Sequence, residues 1–246
     1  MAIDYNVLAK TYDLTRTANI DVLNRFAGEV VLDGATVLDF GCGTGNFAAA
    51  LAQLTTARVY GVEPSDGMRA QAIAKHIDVR AGDHACIPFD ADTFDFIYMT
   101  DVIHHVPDLP LLFAELGRVL KPGGRICILT ESHAQLATRF WVRYFPATVA
   151  VERRRYPDIP DILRAAEGAG LRSHRIENTD AESRFTISPD FVRLVENKGY
   201  SMFRLIEEEA YQTGLAALKR DFAAQTPFTG MHGETLVWLR KEEADA

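Results

Sequence analysis

The sequence predicts an α/β protein built on a mainly parallel, doubly wound sheet with helices on both faces. Three observations carry that prediction. Short apolar runs of strand type alternate with stretches of helical periodicity, a glycine-rich turn follows the first clear strand, and Phe94 to Met99 is a compact apolar run of the kind buried in parallel sheets. At 246 residues with 48% hydrophobic content, the chain can bury a sizeable core and fits one large domain over 1–246.

Taken in order, the first strand is Thr36 to Asp39, ended by glycines, and a helix from about Asn46 to Leu54 follows it. Arg58 to Val62 is the second strand, with a helix beginning near Ser65. A short strand at Asp78 to Ala81 precedes Phe94 to Met99, and Leu111 to Leu120 reads as the next helix. Lys121-Pro122-Gly123-Gly124 predicts a turn, because proline and paired glycines break a helix, and Arg125 to Thr130 resumes as strand five. Ile159 to Ala169 is a helix stopped by Gly170, leading into a strand near Leu171 to Ile176, and the last strand is about Glu234 to Leu239.

Two segments stand outside this alternation and are expected to form helical caps, about 134–156 and 188–225. In the second, Ser188-Pro189-Asp190 is an N-cap with proline at the first helical position, and Tyr211, Leu215, Leu218 and Phe222 share one helical face. Glu207 to Glu209 and Lys219-Arg220 complement the dipole of that helix.

The start of the chain lacks the basic and apolar regions of a signal peptide, and no stretch approaches the ~20 apolar residues of a membrane span, so a cytoplasmic protein without membrane contact is expected. Cys42, Cys86 and Cys127 stand far apart and match neither a disulfide framework nor a zinc spacing; no metal site is evident. The formal charge of −8 argues against a nucleic-acid partner, which needs a basic face.

Val37-Leu38-Asp39-Phe40-Gly41-Cys42-Gly43-Thr44-Gly45-Asn46 runs from an apolar strand through a glycine turn into a helix, a geometry that aims backbone amides at a ligand. A dinucleotide fingerprint would place glycine at 46, where this chain has Asn46. Asp39, two residues before the first glycine, would repel a pyrophosphate and favour a ligand carrying an ammonium and a sulfonium.

The segment D-F-G-C-G-T-G resembles the first motif of class I S-adenosylmethionine-dependent methyltransferases. Four further segments resemble that family in the right order: Val59 to Ser65 around Glu63, Ala81-Gly82-Asp83-His84, Phe94 to Val106, and Leu120 to Gly124. Glu63 follows the first glycine at close to the ~20-residue spacing of a ribose-binding acid. Tyr5 to Asp13 is similar to the N-terminal lid of the branch that includes ubiquinone and menaquinone biosynthesis methyltransferases, with a lid over about 1–30.

The resemblance implies a Rossmann-like, seven-stranded sheet with its last strand antiparallel. It also implies S-adenosyl-L-methionine as cofactor and S-adenosyl-L-homocysteine as product. The residues it places at the cofactor are Tyr12, Arg16, Asp39, Gly41, Cys42, Gly43, Asn46, Glu63, Pro64, Met68, Gly82, Asp83, His84, Thr100 and His105. Among these, Glu63 accepts from the ribose hydroxyls, Met68 packs on the adenine, and Asp83 accepts from its exocyclic amine. Tyr12 and Arg16 close the lid, or else belong to an amphipathic helix packed on the domain.

The implied reaction is in-line displacement of the methyl group onto a small-molecule acceptor, with positioning supplying most of the acceleration. Ligands in open α/β sheets sit beyond the carboxyl ends of the strands, which points to Asp101, His104, His105, Glu131 and His133. Adjacent helical side chains point about 100° apart, so only one of His104 and His105 is expected to face the pocket; His105 is the candidate catalytic base, with shielding of the cofactor as its other reading. Phe140, Trp141, Tyr144 and Phe145 interleave with Arg139, Arg143 and Arg153 to Arg155, consistent with an aromatic or anionic acceptor, or with a cap helix bearing a solvated basic face.

The rival readings are a nucleic-acid or protein methyltransferase, a nicotinamide oxidoreductase, and a non-catalytic S-adenosylmethionine-binding protein. Met99-Thr100-Asp101-Val102 lacks the Asn/Asp-Pro-Pro-Tyr loop of adenine-N6 enzymes, and Asp39 and Asn46 disfavour a dinucleotide.

Overall fold

The computed structural model describes residues 18–30 and 32–243; Tyr12 and Arg16 lie outside them. In chain order the elements are α1 (Ile20–Glu29), β1 (Thr36–Phe40), α2 (Asn46–Leu54), β2 (Arg58–Val62), α3 (Asp66–Ala74), β3 (Asp78–Arg80), β4 (Phe94–Thr100), α4 (Leu109–Val119) and β5 (Leu120–Thr130). There follow α5 (His133–Thr138), α6 (Ala147–Arg155), α7 (Ile159–Gly168), β6 (Leu171–Asn178), β7 (Ala181–Phe185), α8 (Pro189–Glu196), α9 (Glu208–Ala223), β8 (Phe228–His232) and β9 (Thr235–Lys241). The chain divides into two compact units. Of the described residues, the first takes in those through Thr130, Ile159–Glu177 and those from Leu236; the second takes in Glu131–Asp158 and Asn178–Thr235.

The first unit holds a seven-stranded sheet in the order β3-β2-β1-β4-β5-β9-β6. The sheet is mostly parallel with one antiparallel strand. β9 is that strand: Thr179, just past the end of β6, donates its amide to the carbonyl of Glu234, just before β9, at 2.9 Å, so the neighbours β6 and β9 run in opposite directions.

Because side chains alternate along a strand, the central strands feed two separate cores. Leu38, Phe40, Ile97, Met99, Ile126, Ile128, Val237 and Leu239 pack on one face, with α4 and α7 over them through Leu112, Phe113, Leu116, Ile162 and Ala166. Val37, Phe96, Tyr98, Cys127, Leu129, Leu236 and Trp238 pack on the other, with Val22, Leu23 and Phe26 of α1 and Ala48 and Leu51 of α2. Burial on both faces explains why these strands read as near-continuous apolar runs.

The helices start where local chemistry puts them. Asn19, Ser65 and Asp108 each cap a following helix, their side-chain oxygens accepting from Asp21 N, Met68 N and Leu111 N. One turn expected from sequence is absent as such. Lys121 to Gly124 stays within β5, and the irregularity appears as a register shift between the pairs Phe94–Leu120 and Phe96–Arg125, with Gly123 at φ 74°. The proline and glycines bend the ladder without ending it.

The second unit contains both segments expected as caps. Its core gathers Tyr144, Phe145, Val151, Val192, Val195, Met202, Phe203, Ile206, Tyr211, Leu218 and Phe228. Ser188 caps α8 through Phe191 N, as its sequence predicts. Two strands not expected from sequence, β7 and β8, pair antiparallel with Phe185 opposite Phe228. Among the described residues no helix is long and apolar enough to cross a membrane.

Candidate cofactor site

The first unit concentrates its polar chemistry where β1 passes into α2. Gly41, Gly43 and Gly45 have φ of 74°, 53° and 78°, a region in which residues with a Cβ are strained. Gly41 is doubly constrained: a Cβ there would stand 2.6 Å from one methyl of Val102 and 2.7 Å from the other. The amides of Gly41 and Cys42 both donate to the Val62 carbonyl, at 2.8 and 3.1 Å, which ties the turn to the end of β2. On its far side Lys75 donates to the Thr44 carbonyl at 2.8 Å and to Asn46 Oδ1 at 2.5 Å.

Glu63 joins this turn to the next helix. Its Oε2 accepts from Gly43 N at 3.1 Å and its Oε1 from Ser65 N at 2.8 Å. Burial raises the pKa of this carboxyl, opposed by those two amides and by Arg69. The Arg69 guanidinium is itself engaged with the carbonyls of Glu63 and Pro64, at 2.8 and 2.7 Å, and with the Asp66 carboxylate.

Asp39 is buried beneath the turn, and its Oδ1 has no hydrogen-bond partner among the described residues. The register pairs it with Gly61 on one side and Tyr98 on the other. The Tyr98 hydroxyl faces Asp39 without closing a well-formed hydrogen bond. Burial pushes the Asp39 carboxyl up to about 7; Tyr98 and the Ala48 amide hold the rise back, and Glu63 adds to it. Burial, reinforced by Asp39 and Glu63, also pushes the Cys42 thiol up, so it behaves as a small apolar side chain.

The remaining expected residues fall around these. Met68 in α3 is buried, while Pro64 is exposed. Gly82 lies where a Cβ would meet the Cys86 carbonyl and Pro88 at 2.7 Å. Asp83 is exposed and accepts from Ala85 N at 2.8 Å in a turn closed by Asp83 and Cys86, and His84 beside it is half-buried. Thr100 ends β4 opposite Leu129. Asp101, next in the chain, takes φ 56°, an uncommon conformation for a residue other than glycine.

Ile103–His105 is a short 3₁₀ helix, and here the structure differs from the expectation that the two histidines diverge. Ile103 takes the buried position, His105 is exposed and His104 half-buried, yet the imidazole centroids are only 4.0 Å apart at 46°.

Glu131 and His133 belong to the second unit and are engaged there. Glu131 forms a buried ion pair with Arg139, and His133 Nε2 is 2.8 Å from the Tyr156 carbonyl. Arg143 pairs with Asp221 at 3.6 Å and Arg155 with Glu152 at 2.7 Å. Sequence reasoning missed Lys75, Tyr98 and Val102. Only the register of β4 against β1 brings Tyr98 to Asp39, and only the closure of the turn brings Lys75 and Val102 to it.

This arrangement suits a ligand that brings positive charge better than a polyphosphate. Two buried carboxyls, one of them with an unpartnered oxygen, disfavour phosphate and favour positive charge.

Comparison with known proteins agrees. A family model described as a methyltransferase domain matches residues 38–128. Phosphoethanolamine N-methyltransferase 2 of Caenorhabditis elegans is 24% identical over 231 residues, 85% of this chain and 51% of that protein. Demethylmenaquinone methyltransferase of Corynebacterium kroppenstedtii is 29% identical over 193 residues, 68% of this chain and 84% of that protein. A solved structure of a protein assigned as a methyltransferase of an antibiotic biosynthesis pathway in Anabaena variabilis superposes with a TM-score of 0.70 at 22% identity, covering 91% of this chain and 98% of that one. The chain spans about half the length, or less, of several curated relatives it matches, 51%, 37% and 26%.

Proposed function

The chain belongs to the class I S-adenosylmethionine-dependent methyltransferase family, and from that premise we propose that it methylates a small molecule in the cytoplasm. The observation that carries the reading is Glu63, whose carboxylate spans the glycine turn and the start of α3 through Gly43 N and Ser65 N. When bound, the cofactor supplies an electrophilic methyl group on a sulfonium sulfur.

The protein's own residues bind and orient. Glu63 has lone pairs left to accept from the ribose hydroxyls, and its amide partners oppose the rise in its pKa that burial causes. Asp83 accepts from the adenine amine, flanked by Gly82 and His84, while Met68 and Pro64 border the base. Gly41, Cys42, Gly43 and Asn46 bring backbone close to the ligand, and Asp39 contributes negative charge from below. Thr100 ends β4 and His105 follows it, and His105, exposed on its 3₁₀ turn, takes the proton from an acceptor that must lose one.

We propose an uncharged acceptor, with phenols as the first class to test, in preference to an anionic one. Arg139, Arg143 and Arg155, three of the arginines that would grip an anion, are paired with Glu131, Asp221 and Glu152. The acidic balance of the chain weighs the same way.

The test is transfer of a labelled methyl group to a panel of phenols, carboxylates, amines and thiols, with His105→Gln beside the wild type. Turnover of phenols, reduced about 10²- to 10⁴-fold in the variant, is the expected result. Turnover confined to carboxylates or amines contradicts the acceptor class, and transfer to none of them contradicts the activity.

A further inference from the structure

Among the described residues, five other than glycine take a positive φ: His76, Asp92, Asp101, Lys198 and Gln225. Three of them have an ordinary reason. His76, Lys198 and Gln225 each follow the C-cap residue of a helix, where a left-handed residue commonly closes the final turn. Asp92 lies in the turn before β4, held by its amide on the Arg118 carbonyl and by Lys241 on its carboxylate. Asp101 has neither setting. At φ 56° it follows directly on β4, at the carboxyl edge of the sheet where ligands of open α/β folds lie. Its amide still donates to the Leu129 carbonyl at 3.3 Å, continuing the pairing of β4 with β5 by one residue, and the hand of the backbone reverses there.

The reversal decides where the next residues go. Val102 has its two methyl carbons 2.6 and 2.7 Å from where a Cβ on Gly41 would stand, so it closes one face of the glycine turn. Ile103 is fully buried, and the His105 amide donates to the Val102 carbonyl at 2.8 Å while the His105 side chain is exposed. An extended backbone at 101 would continue the line of β4 and carry Val102 off Gly41.

Resting on the cofactor reading above, we propose that Asp101 is a positioning residue for the cofactor: its left-handed backbone is a joint that seats Val102 on the glycine turn, and the turn binds S-adenosylmethionine in the form that this joint holds.

The choice of residue fits that role. A Cβ disfavours the left-handed region, and Asp and Asn offset part of the cost because their short polar side chains bond locally. Alanine keeps the Cβ and lacks the offset. In the free Asp101→Ala variant the joint therefore relaxes, Val102 leaves the turn, and the ligand must draw both back. Affinity then falls by the fraction of molecules still in the left-handed form, roughly three- to thirtyfold.

The experiment is calorimetric titration of the full chain with S-adenosylmethionine, run on the wild type, on Asp101→Ala, Asp101→Asn and Asp101→Gly, on Val102→Ala, and on the double variant of 101 and 102 to alanine. The expected result is weaker binding by Asp101→Ala and recovery in Asp101→Asn and Asp101→Gly, which enter the left-handed region readily. Val102→Ala also weakens binding, and Asp101→Ala adds little to it, because the joint then has nothing to seat. Three results overturn the inference while leaving the cofactor reading intact. One is a loss in Asp101→Asn equal to that in Asp101→Ala, which makes the carboxylate charge the acting group. Another is full additivity of the changes at 101 and 102. The third is a lowered melting temperature in Asp101→Ala with wild-type affinity, which confines the joint to the fold. Should Asp101→Ala fail to fold, Val102→Ala decides alone, and wild-type affinity there overturns the inference. A wild type that does not bind S-adenosylmethionine overturns the cofactor reading and this inference with it.

Discussion

Replacing Glu63 by Gln removes one charge and almost no volume, which makes it the sharpest probe of the cofactor site. In the wild type the two carboxylate oxygens accept from Gly43 N at 3.1 Å and Ser65 N at 2.8 Å. The carboxamide of the Glu63→Gln variant can present an acceptor to one of these and only an NH₂ group to the other, so one backbone donor is left facing a donor. A hydrogen bond to a charged group contributes about 1.5–3 kcal/mol, so the free protein should lose about that much stability. At about 2–4 °C per kcal/mol for a chain of this size, the loss is readable in a thermal melt. The ribose hydroxyls would lose a charge-assisted acceptor as well, worth a similar amount and hence roughly ten- to a hundredfold in affinity for S-adenosylmethionine. Calorimetry on the folded variant reads the second quantity separately from the first. Unchanged affinity in a variant with a lowered melting temperature would show that Glu63 only braces the turn, and the assignment of its role at the ribose would fall.

Three further outcomes follow from the same geometry. Gly41→Ala costs about 1–2 kcal/mol for a left-handed backbone and about 1–3 for crowding Val102, and adding Val102→Ala should restore the second part alone; full recovery in the double variant would refute the backbone share. Lys75→Met severs the bonds to the Thr44 carbonyl and Asn46 and should weaken cofactor binding through a looser turn, whereas wild-type affinity by calorimetry would make that pin dispensable. Asp39 holds its proton up to about 7 in the fold but only to ~3.9 in the unfolded chain, so the folded state binds more protons between those values and stability falls as pH rises through them, by roughly 4 kcal/mol at most. Asn does not titrate, so the melting temperature of Asp39→Asn relative to wild type should climb from pH 5 to pH 8 in the free protein; a flat difference would contradict a carboxyl that is protonated when free.

The parallel sheet was legible because its strands are buried on both faces and bounded by strong punctuation. Ser188 caps its helix as read from the sequence, the helix expected to begin near Ser65 does so with Ser65 as its cap, and α2 spans Asn46–Leu54 as read from the sequence. Two features were not legible, for different reasons. The pair β7 and β8 joins Ala-Glu-Ser-Arg-Phe to Phe-Thr-Gly-Met-His, polar and glycine-containing runs whose partners are far apart in sequence, so neither local propensity nor alternation announces them. Lys121 to Gly124 carries every local sign of a turn, yet pairing of Leu120 with Phe94 keeps it in the strand. At the site, the glycines and Glu63 stand out by spacing along the chain. Tyr98 looks like any core aromatic until the register sets it beside Asp39, and Lys75 looks like an ordinary helix-terminal lysine until the turn folds back to it. The aromatics of 140–145 read as a lining for an acceptor, but Tyr144 and Phe145 belong to the core of the second unit, where Phe145 fills the space left by Gly214.

The central claim is that the acidic, glycine-lined end of β1 receives S-adenosylmethionine. Calorimetric titration of the purified chain with S-adenosylmethionine, S-adenosylhomocysteine and NAD in parallel tests it most directly, after removal of any copurified ligand. The account predicts saturable binding of the first two and none of NAD; binding of NAD, or of none of the three, would contradict it.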